Sequence, residues 1–155
     1  MLSALRRLGD KNPNFTISDL SGIINITSSL DPFDVVKKLR AKILDEPWSV
    51  RYCHRIIPIE EKVITEKDTI VKSAIRNAKK ITEYCTYRIT IEKRNYTISS
   101  KEIIESIANE IQGKVSLEKF DWIILIEILG NETGISVLKE DDILSIQKLK
   151  RSLSE

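Results

Sequence analysis

The middle of the chain alternates between apolar and polar residues with the period of a β-strand. In YCTYRITIEKR, residues 84–94, polar residues separate the four apolar positions Cys85, Tyr87, Ile89 and Ile91. Because successive side chains of a strand point to opposite faces, this pattern predicts a half-buried strand. Arg88 is then expected on the face turned away from the core.

Two segments with helical periodicity flank this strand. In TEKDTIVKSAIRNAKKI, Thr65 and Asp68 have the spacing of a capping box, and the apolar positions form one stripe. The opposite face of this predicted helix has four cations, Lys72, Arg76, Lys79 and Lys80. Ser99 and Glu102 have the same capping spacing at the start of a second helix, which Gly113 ends.

Two further strands are predicted after these helices. KFDWIILIEIL is apolar at both parities, which is typical of a central strand, and NETGISVLKE offers a turn followed by a last strand. The predicted elements are strands that alternate with helices, which indicates a domain built of both β-strands and α-helices. Tyr87 and Trp122 are expected in its core.

The first third of the chain predicts a strand, a helix and a second strand. SGIINITSS supplies the first strand, and Asp31 and Pro32 suit the cap and first turn of a helix that ends before Pro47. Residues 49–59 are rich in β-formers, and Tyr52 among them is expected to be buried. Such a unit fits a small ferredoxin-like segment, which residues 60–66 link to the rest. Residues 141–153 have apolar positions at three-residue steps, which predicts a helical tail.

Charge is balanced over the chain as a whole but not along it. The 155 residues include 25 Lys and Arg against 23 Asp and Glu. From Lys72 to Lys101, however, eight cations face only two acids, and from Glu102 to Ile146 three lysines face ten acids. An even scatter of solvated charges is one explanation of this contrast, and a binding surface is the other.

The sequence lacks the residues that several classes of function require. His54 is the only histidine, the five glycines are dispersed, and Cys53 and Cys85 are too few for a zinc site or a disulfide framework. We therefore expect no enzyme, no cofactor and no metal. No apolar run reaches membrane-spanning length, and the first residues lack the pattern of a secretory signal, so we expect a cytoplasmic protein with no membrane contact.

The basic window suggests a polyanionic partner. Lys and Arg contact phosphates with little sequence preference, and Arg94 and Tyr96 could stack on exposed bases, as RNA-binding modules do. The candidate RNA-binding residues are Lys72, Arg76, Lys79, Lys80, Arg88, Lys93, Arg94 and Tyr96.

The same segments resemble the THUMP domain of RNA-modifying enzymes. The resemblance rests on YRITIEKRNYTISSKEIIESIANEI followed by KVSLEKFDWIILIEILGNETGISVL, which give a strand with an Arg and a Lys-Arg pair, a helix entered through Ser, and final strands ending in GISVL. The upstream RYCHRIIPIEE resembles the strand that precedes THUMP in stand-alone tRNA-acetylation adaptors. The resemblance implies an α+β fold with a mixed sheet. The expected domains are a ferredoxin-like segment at 1–60, a THUMP domain at 61–140 and a helical tail at 141–155.

The resemblance also implies a function. THUMP domains usually accompany a catalytic domain, for which these residues leave no room, so the resemblance points to a non-catalytic adaptor. Such an adaptor presents tRNA to an RNA cytidine acetyltransferase that forms N4-acetylcytidine. The resemblance further implies that the THUMP domain binds the acceptor stem and the 3′ end of tRNA, with Arg88, Lys93 and Arg94 facing the RNA.

Two other interpretations stay open at the level of sequence. The chain could be an interaction or dimerisation module that uses its acidic second half as the contact surface. It could also be the RNA-binding subunit of another tRNA-modifying complex, such as one for thiolation. The Ile-, Lys- and Glu-rich composition is compatible with a thermophilic archaeal source.

Overall fold

The computed structural model describes all 155 residues, which fold into five α-helices and nine β-strands. The chain divides into two compact units, one formed by residues 1–58 with 141–155 and the other by residues 59–140. The first, here called the N-terminal unit, contains α1 (Leu2–Arg7), β1 (Asn14–Ile17), β2 (Ile24–Thr27), α2 (Pro32–Asp45), β3 (Arg55–Ile56), β9 (Leu144–Ser145) and α5 (Ile146–Ser154). The second, the central unit, contains β4 (Glu61–Ile64), α3 (Lys67–Asn77), β5 (Thr86–Arg94), α4 (Ser100–Ala108), β6 (Lys114–Val115), β7 (Trp122–Leu129) and β8 (Glu132–Leu138).

The central unit is built on one five-stranded sheet with the order β4-β8-β7-β5-β6. β5 runs parallel to β6 and β7, whereas β8 is antiparallel to both of its neighbours. The sheet is therefore mixed, and the predicted α+β class is confirmed. Ile70 and Ala74 of α3 and Ile103 and Ile107 of α4 join Tyr87 and the inward residues of β7 and β8 in one buried cluster, so both helices cover the same face.

Local signals explain most elements of this unit. β5 has the predicted alternation, with Tyr87 buried and Arg88 exposed. The amide of Glu102 donates to the Ser99 hydroxyl at 3.3 Å, as expected for the start of α4. The capping box predicted at Thr65 is wrong, because α3 begins after Glu66 without a side-chain cap. Thr65 instead donates its hydroxyl to the carbonyl of Gly130 at 2.7 Å, which fixes the end of β4 to the β7–β8 turn.

The N-terminal unit differs more from expectation. A ferredoxin-like segment would have one four-stranded sheet, but these strands form two separate antiparallel pairs, β1 with β2 and β3 with β9. The strand predicted over 49–59 shrinks to Arg55–Ile56, because only these two residues find a ladder partner. Tyr52, which was expected in the core, is 92% exposed.

The helix α2 organises the core of this unit. Asp31 caps it by accepting hydrogen bonds from the amides of Phe33 and Asp34 at 2.9 and 3.1 Å, and Pro32 occupies its first turn. Its buried face packs with the last strand and helix in one cluster, Val36, Leu39, Ile43, Leu144 and Ile146. No helix in the structure is long and apolar enough to span a membrane.

Candidate nucleic-acid interface

The candidate interface lies where the parallel strands β4, β5 and β7 end, an edge of the sheet that we call the carboxyl edge. Lys93 and Arg94 are the last residues of β5 and pair with Ile128 and Leu129 of β7. The chain then turns through Asn95, whose φ of 55° is one that asparagine tolerates better than most residues. This turn ends the strand abruptly and leaves both basic side chains exposed.

The three predicted residues at this edge, Lys93, Arg94 and Tyr96, differ in the contacts that their side chains make. Lys93 donates its ammonium to the carbonyl of Ile98 at 3.0 Å, which leaves its charge uncompensated by any acid. The Arg94 side chain is exposed and has no hydrogen bond or ion pair, so its guanidinium is available to a ligand. Tyr96 is 39% exposed and donates its hydroxyl to the carbonyl of Thr65 at 3.2 Å. Part of its ring thus stays accessible at the same edge.

Both helices of the central unit begin at the carboxyl edge. An ion pair of 3.5 Å between Lys67 and Glu102 joins their first turns. Because helix N-termini carry partial positive charge, they add to the positive potential of this edge. The carboxylates of Asp68 and Glu102 lie in these first turns and offset part of that potential.

The predicted basic face of α3 is partly neutralised within the protein. Arg76 makes an ion pair with Glu61 of β4, and Ser73 and Asn77 donate to the same carboxylate at 2.8 and 2.7 Å. The hydrogen bond from Arg76 is the main reason that the pKa of Glu61 lies below its ordinary value, with Ser73 and Asn77 acting in the same direction. Lys80 pairs with Glu60 at 3.1 Å.

Lys72 and Lys79 are the two α3-side cations that no acid holds. Both are exposed, and neither makes an ion pair or a side-chain hydrogen bond. They are seven residues apart, which places them on similar sides of the helical path. They could therefore contact phosphates without first breaking an internal bond.

Arg88 lies on the other face of the sheet. Its neighbours Tyr87 and Ile89 point into the helix-covered core, so Arg88 points away from α3 and α4. Its guanidinium donates to the carbonyl of Leu117 at 3.4 Å and lies 6.0 Å from the centre of the Phe120 ring. Arg94 lies six positions farther along the strand, a distance of about 20 Å.

The eight candidate residues therefore do not form one continuous surface. Lys93, Arg94 and Tyr96 all lie at the carboxyl edge, where the alternation of β5 turns Lys93 to the helix-covered face and Arg94 to the face of Arg88. The α3 cations lie on the helix-covered side. Lys80 lies at the opposite edge of the sheet, 5.4 Å from the centre of the Trp122 ring. Lys139 lies 5.0 Å from the centre of the same ring but is not among the predicted residues, because 17 positions separate it from Trp122 and no local pattern joins them.

Trp122 was expected in the core and is partly buried against it. Its ring also contacts two ammonium groups, which fits the preference of cations for the face of an indole. No group of three His, Cys, Asp or Glu side chains in the structure could hold a metal ion.

These features define a class of protein: an α+β unit whose mixed sheet is covered on one face by two helices and ends in a basic edge. Residues 64–138 match the family model of the THUMP domain. The resemblance found in the sequence is confirmed at that level. No curated protein matches the chain.

Three solved structures share the fold. PH1313 from Pyrococcus horikoshii is 22% identical with a TM-score of 0.66, and the match covers 88% of this chain and 46% of that one. TrmN from Thermus thermophilus is 11% identical with a TM-score of 0.55, covering 88% of this chain and 40% of that one. A 4-thiouridine synthetase in complex with RNA and bound ATP is 14% identical with a TM-score of 0.58, covering 93% of this chain and 36% of that one. The chain thus spans less than half the length of each of these proteins.

Proposed function

We propose that the chain binds tRNA through its THUMP domain and presents it to a separate modifying enzyme, without catalysing a reaction itself. The observation on which this rests is the THUMP match over residues 64–138, whose carboxyl edge exposes Lys93 and Arg94 with no acid against either charge. The RNA complex of the structurally similar 4-thiouridine synthetase supports the choice of partner. The proposal implies a cytoplasmic protein whose RNA-binding unit is the segment 61–140.

In this proposal Lys93 and Arg94 contact phosphates near the single-stranded 3′ end of tRNA. Tyr96 offers the exposed part of its ring to a base, and Lys72, Lys79 and Arg88 reach phosphates farther along the acceptor stem. Arg76 and Lys80 contribute less, because each would first have to leave its glutamate.

A salt-titrated binding assay tests the RNA contact. The probes are intact tRNA, tRNA trimmed of its 3′ end, and an unrelated duplex of equal length. Because each cation that neutralises a phosphate contributes about 0.7–0.9 to the slope of log K against log salt, Lys93→Ala with Arg94→Ala should flatten that slope by about 1.5. The matched control is Lys114→Ala with Lys119→Ala, which removes the same charge from exposed lysines that lie outside this edge.

Two results would argue against this assignment. Equal binding of all three probes would remove the preference for the 3′ end, and equal effects of the two double variants would reduce the carboxyl edge to ordinary surface charge. A chain that retains no RNA but changes mass with concentration would instead favour an interaction module.

The finer part of the proposal concerns the enzyme that is served. We propose an RNA cytidine acetyltransferase, following the adaptor resemblance of the sequence around RYCHRIIPIEE. N4-acetylcytidine formation on tRNA by that enzyme, measured by nucleoside mass spectrometry, should rise when the chain is added and should fall with the Lys93 and Arg94 variant.

A second candidate is the RNA-binding subunit of a thiolation complex. The structural similarity to a 4-thiouridine synthetase favours it. Loss of 4-thiouridine but not of N4-acetylcytidine in cells that lack the chain would select this candidate over the first.

A further inference from the structure

Two segments that lie far apart in the sequence meet in the N-terminal unit. They are residues 47–58, which include β3, and residues 143–154, which include β9 and α5. Arg55 pairs with Ser145 in the ladder, and the amide of Ile146 donates to the carbonyl of His54 at 3.0 Å. Lys150 donates its ammonium to the carbonyl of Val50 at 2.6 Å, so α5 is fixed along the loop before β3.

Neither segment contains an acidic residue. Together they contain five Lys and Arg and no acid, whereas the basic window of the central unit has two acids among its eight cations. We call the exposed residues that they bring together the acid-free surface: Arg51, Tyr52, His54, Arg55, Lys148 and Arg151. Among its cations, Arg51, Lys148 and Arg151 make no ion pair or side-chain hydrogen bond in the structure.

Three acids flank these segments, Glu46, Asp142 and Glu155, and none of them makes an ion pair with the three free cations. Glu155 directly follows the second segment and is exposed. Glu46, just before the first segment, pairs with Lys42 at 3.9 Å. Asp142, just before the second, also has an interaction of its own. The positive charge of the acid-free surface is thus exposed to solvent.

Tyr52 gives this surface a second property. Its side chain follows Arg51 directly and is 92% exposed, so almost none of its ring is buried in the protein. Proteins bind unpaired nucleic acid by stacking bases on exposed aromatic rings and holding phosphates with nearby Lys and Arg. A regular duplex offers no free base face for such a ring.

We propose that the acid-free surface binds an unpaired stretch of RNA, with one base stacked on Tyr52 and phosphates held by Arg51, Lys148 and Arg151. This inference rests on the proposed RNA-binding function and adds a contact outside the THUMP domain. The proposed ligand is single-stranded RNA, because the exposed Tyr52 ring can stack on an unpaired base and a surface with charge alone could not.

The test compares matched variants of the full chain. Arg51→Gln, Lys148→Gln and Arg151→Gln are combined, since glutamine removes the charge while keeping a long side chain that suits a helix. The control combines Lys11→Gln, Lys37→Gln and Lys38→Gln, three exposed lysines of the same unit that make no ion pair. Lys150 and Arg55 stay unchanged because they help to join the two segments.

The probes are an RNA hairpin with an unpaired 3′ overhang and the same hairpin with a blunt end. Binding is measured over a range of salt concentrations, and circular dichroism verifies the fold of each variant. With the overhang probe, the acid-free triple variant should lower the salt slope by about 2, since each phosphate contact to a single strand contributes about 0.7. Tyr52→Ala should lower the affinity for the overhang probe at least about fivefold and leave the affinity for the blunt probe unchanged. Tyr52→Phe should keep wild-type affinity for both.

The outcomes separate this inference from the proposed function. The second contact is overturned if the acid-free triple variant and Tyr52→Ala bind RNA as the wild-type chain does, or if the control triple variant weakens binding equally. The proposed contact of the THUMP domain would then still stand. If the wild-type chain binds neither probe, both proposals fail. Equal loss of the two probes with Tyr52→Ala would show that the ring does not stack on an unpaired base, and this too overturns the inference.

Discussion

Replacement of Glu61 by alanine tests how the structure attaches α3 to its sheet. The Glu61 carboxylate accepts hydrogen bonds from Ser73, Asn77 and Arg76, and so joins β4 to three residues of one helix. Ser73 is fully buried, so loss of the carboxylate leaves its hydroxyl without this acceptor in a place that water does not reach. Arg76→Ala, by contrast, removes only a partner whose side chain is 54% exposed.

The expected magnitudes follow from this difference in exposure. A hydrogen bond to a charged group contributes about 1.5–3 kcal/mol when it is shielded, whereas an exposed ion pair contributes about 0.5 kcal/mol. Because the Glu61 side chain is itself 29% exposed, we discount the two shielded bonds and expect Glu61→Ala to lower the free energy of unfolding by about 2–3 kcal/mol. Arg76→Ala should lower it by about 0.5 kcal/mol.

The same contact predicts a pH dependence. The pKa of Glu61 is lowered in the folded state, mainly by the hydrogen bond from Arg76, so the folded protein binds this proton less readily than the unfolded chain. The stabilisation is therefore complete above the ordinary pKa of glutamate, about 4.3, and is lost as the pH falls through the lower folded value. Glu61→Gln should remove this component of acid sensitivity.

Urea denaturation followed by Trp122 fluorescence measures these changes. Trp48 lies in the other unit, so a Trp48→Phe background isolates the signal of the central unit. The reasoning is refuted if Arg76→Ala costs as much as Glu61→Ala, or if Glu61→Ala costs less than about 0.5 kcal/mol.

Two further predictions concern stability. Gly113→Ala should destabilise the central unit by about 1–3 kcal/mol in thermal denaturation, because a Cβ there would lie 2.8 Å from an Ile81 methyl and 2.9 Å from the carbonyl oxygen of Cys85. Gly134→Ala should destabilise it less, since the nearest atoms to its Cβ, at 3.2 Å, belong only to a side chain. Asp10→Ala should lower the urea midpoint of the N-terminal unit, because the buried carboxylate accepts from the hydroxyls of Ser28 and Ser29; the exposed Asp19→Ala should leave it unchanged, and equal effects would contradict the buried role.

The central unit was largely predictable because its signals are local. The alternation around Arg88 identified β5 and its two faces, and Ser99 identified the start of α4. The pairing of Arg76 with Glu61 was not predictable, since a helical face with four cations looks free until the position of β4 is known. For that reason the sequence suggested one basic face where the structure has several separate groups.

The N-terminal unit was harder to predict because its contacts join distant residues. The short strand at Arg55 depends on a partner, Ser145, that lies 90 positions away. Without that partner, β-forming residues around Tyr52 resemble a longer, half-buried strand. Burial of Tyr52 was inferred from this apparent strand, and its exposure is visible only in the structure.

The division of the N-terminal unit between residues 1–58 and 141–155 has a consequence for the order of folding. During synthesis, residues 59–140 are complete before β9 and α5 have been made, so the central unit can fold first. When it does, Glu60 bonds to Ile135 and Val137, and the two chain segments that leave the unit start from neighbouring points. A long loop thereby becomes a short connection, which lowers the entropy cost of completing the other unit. A nascent chain that stops before Leu144 would still expose the apolar face of α2, because Leu144 and Ile146 are the residues that cover it.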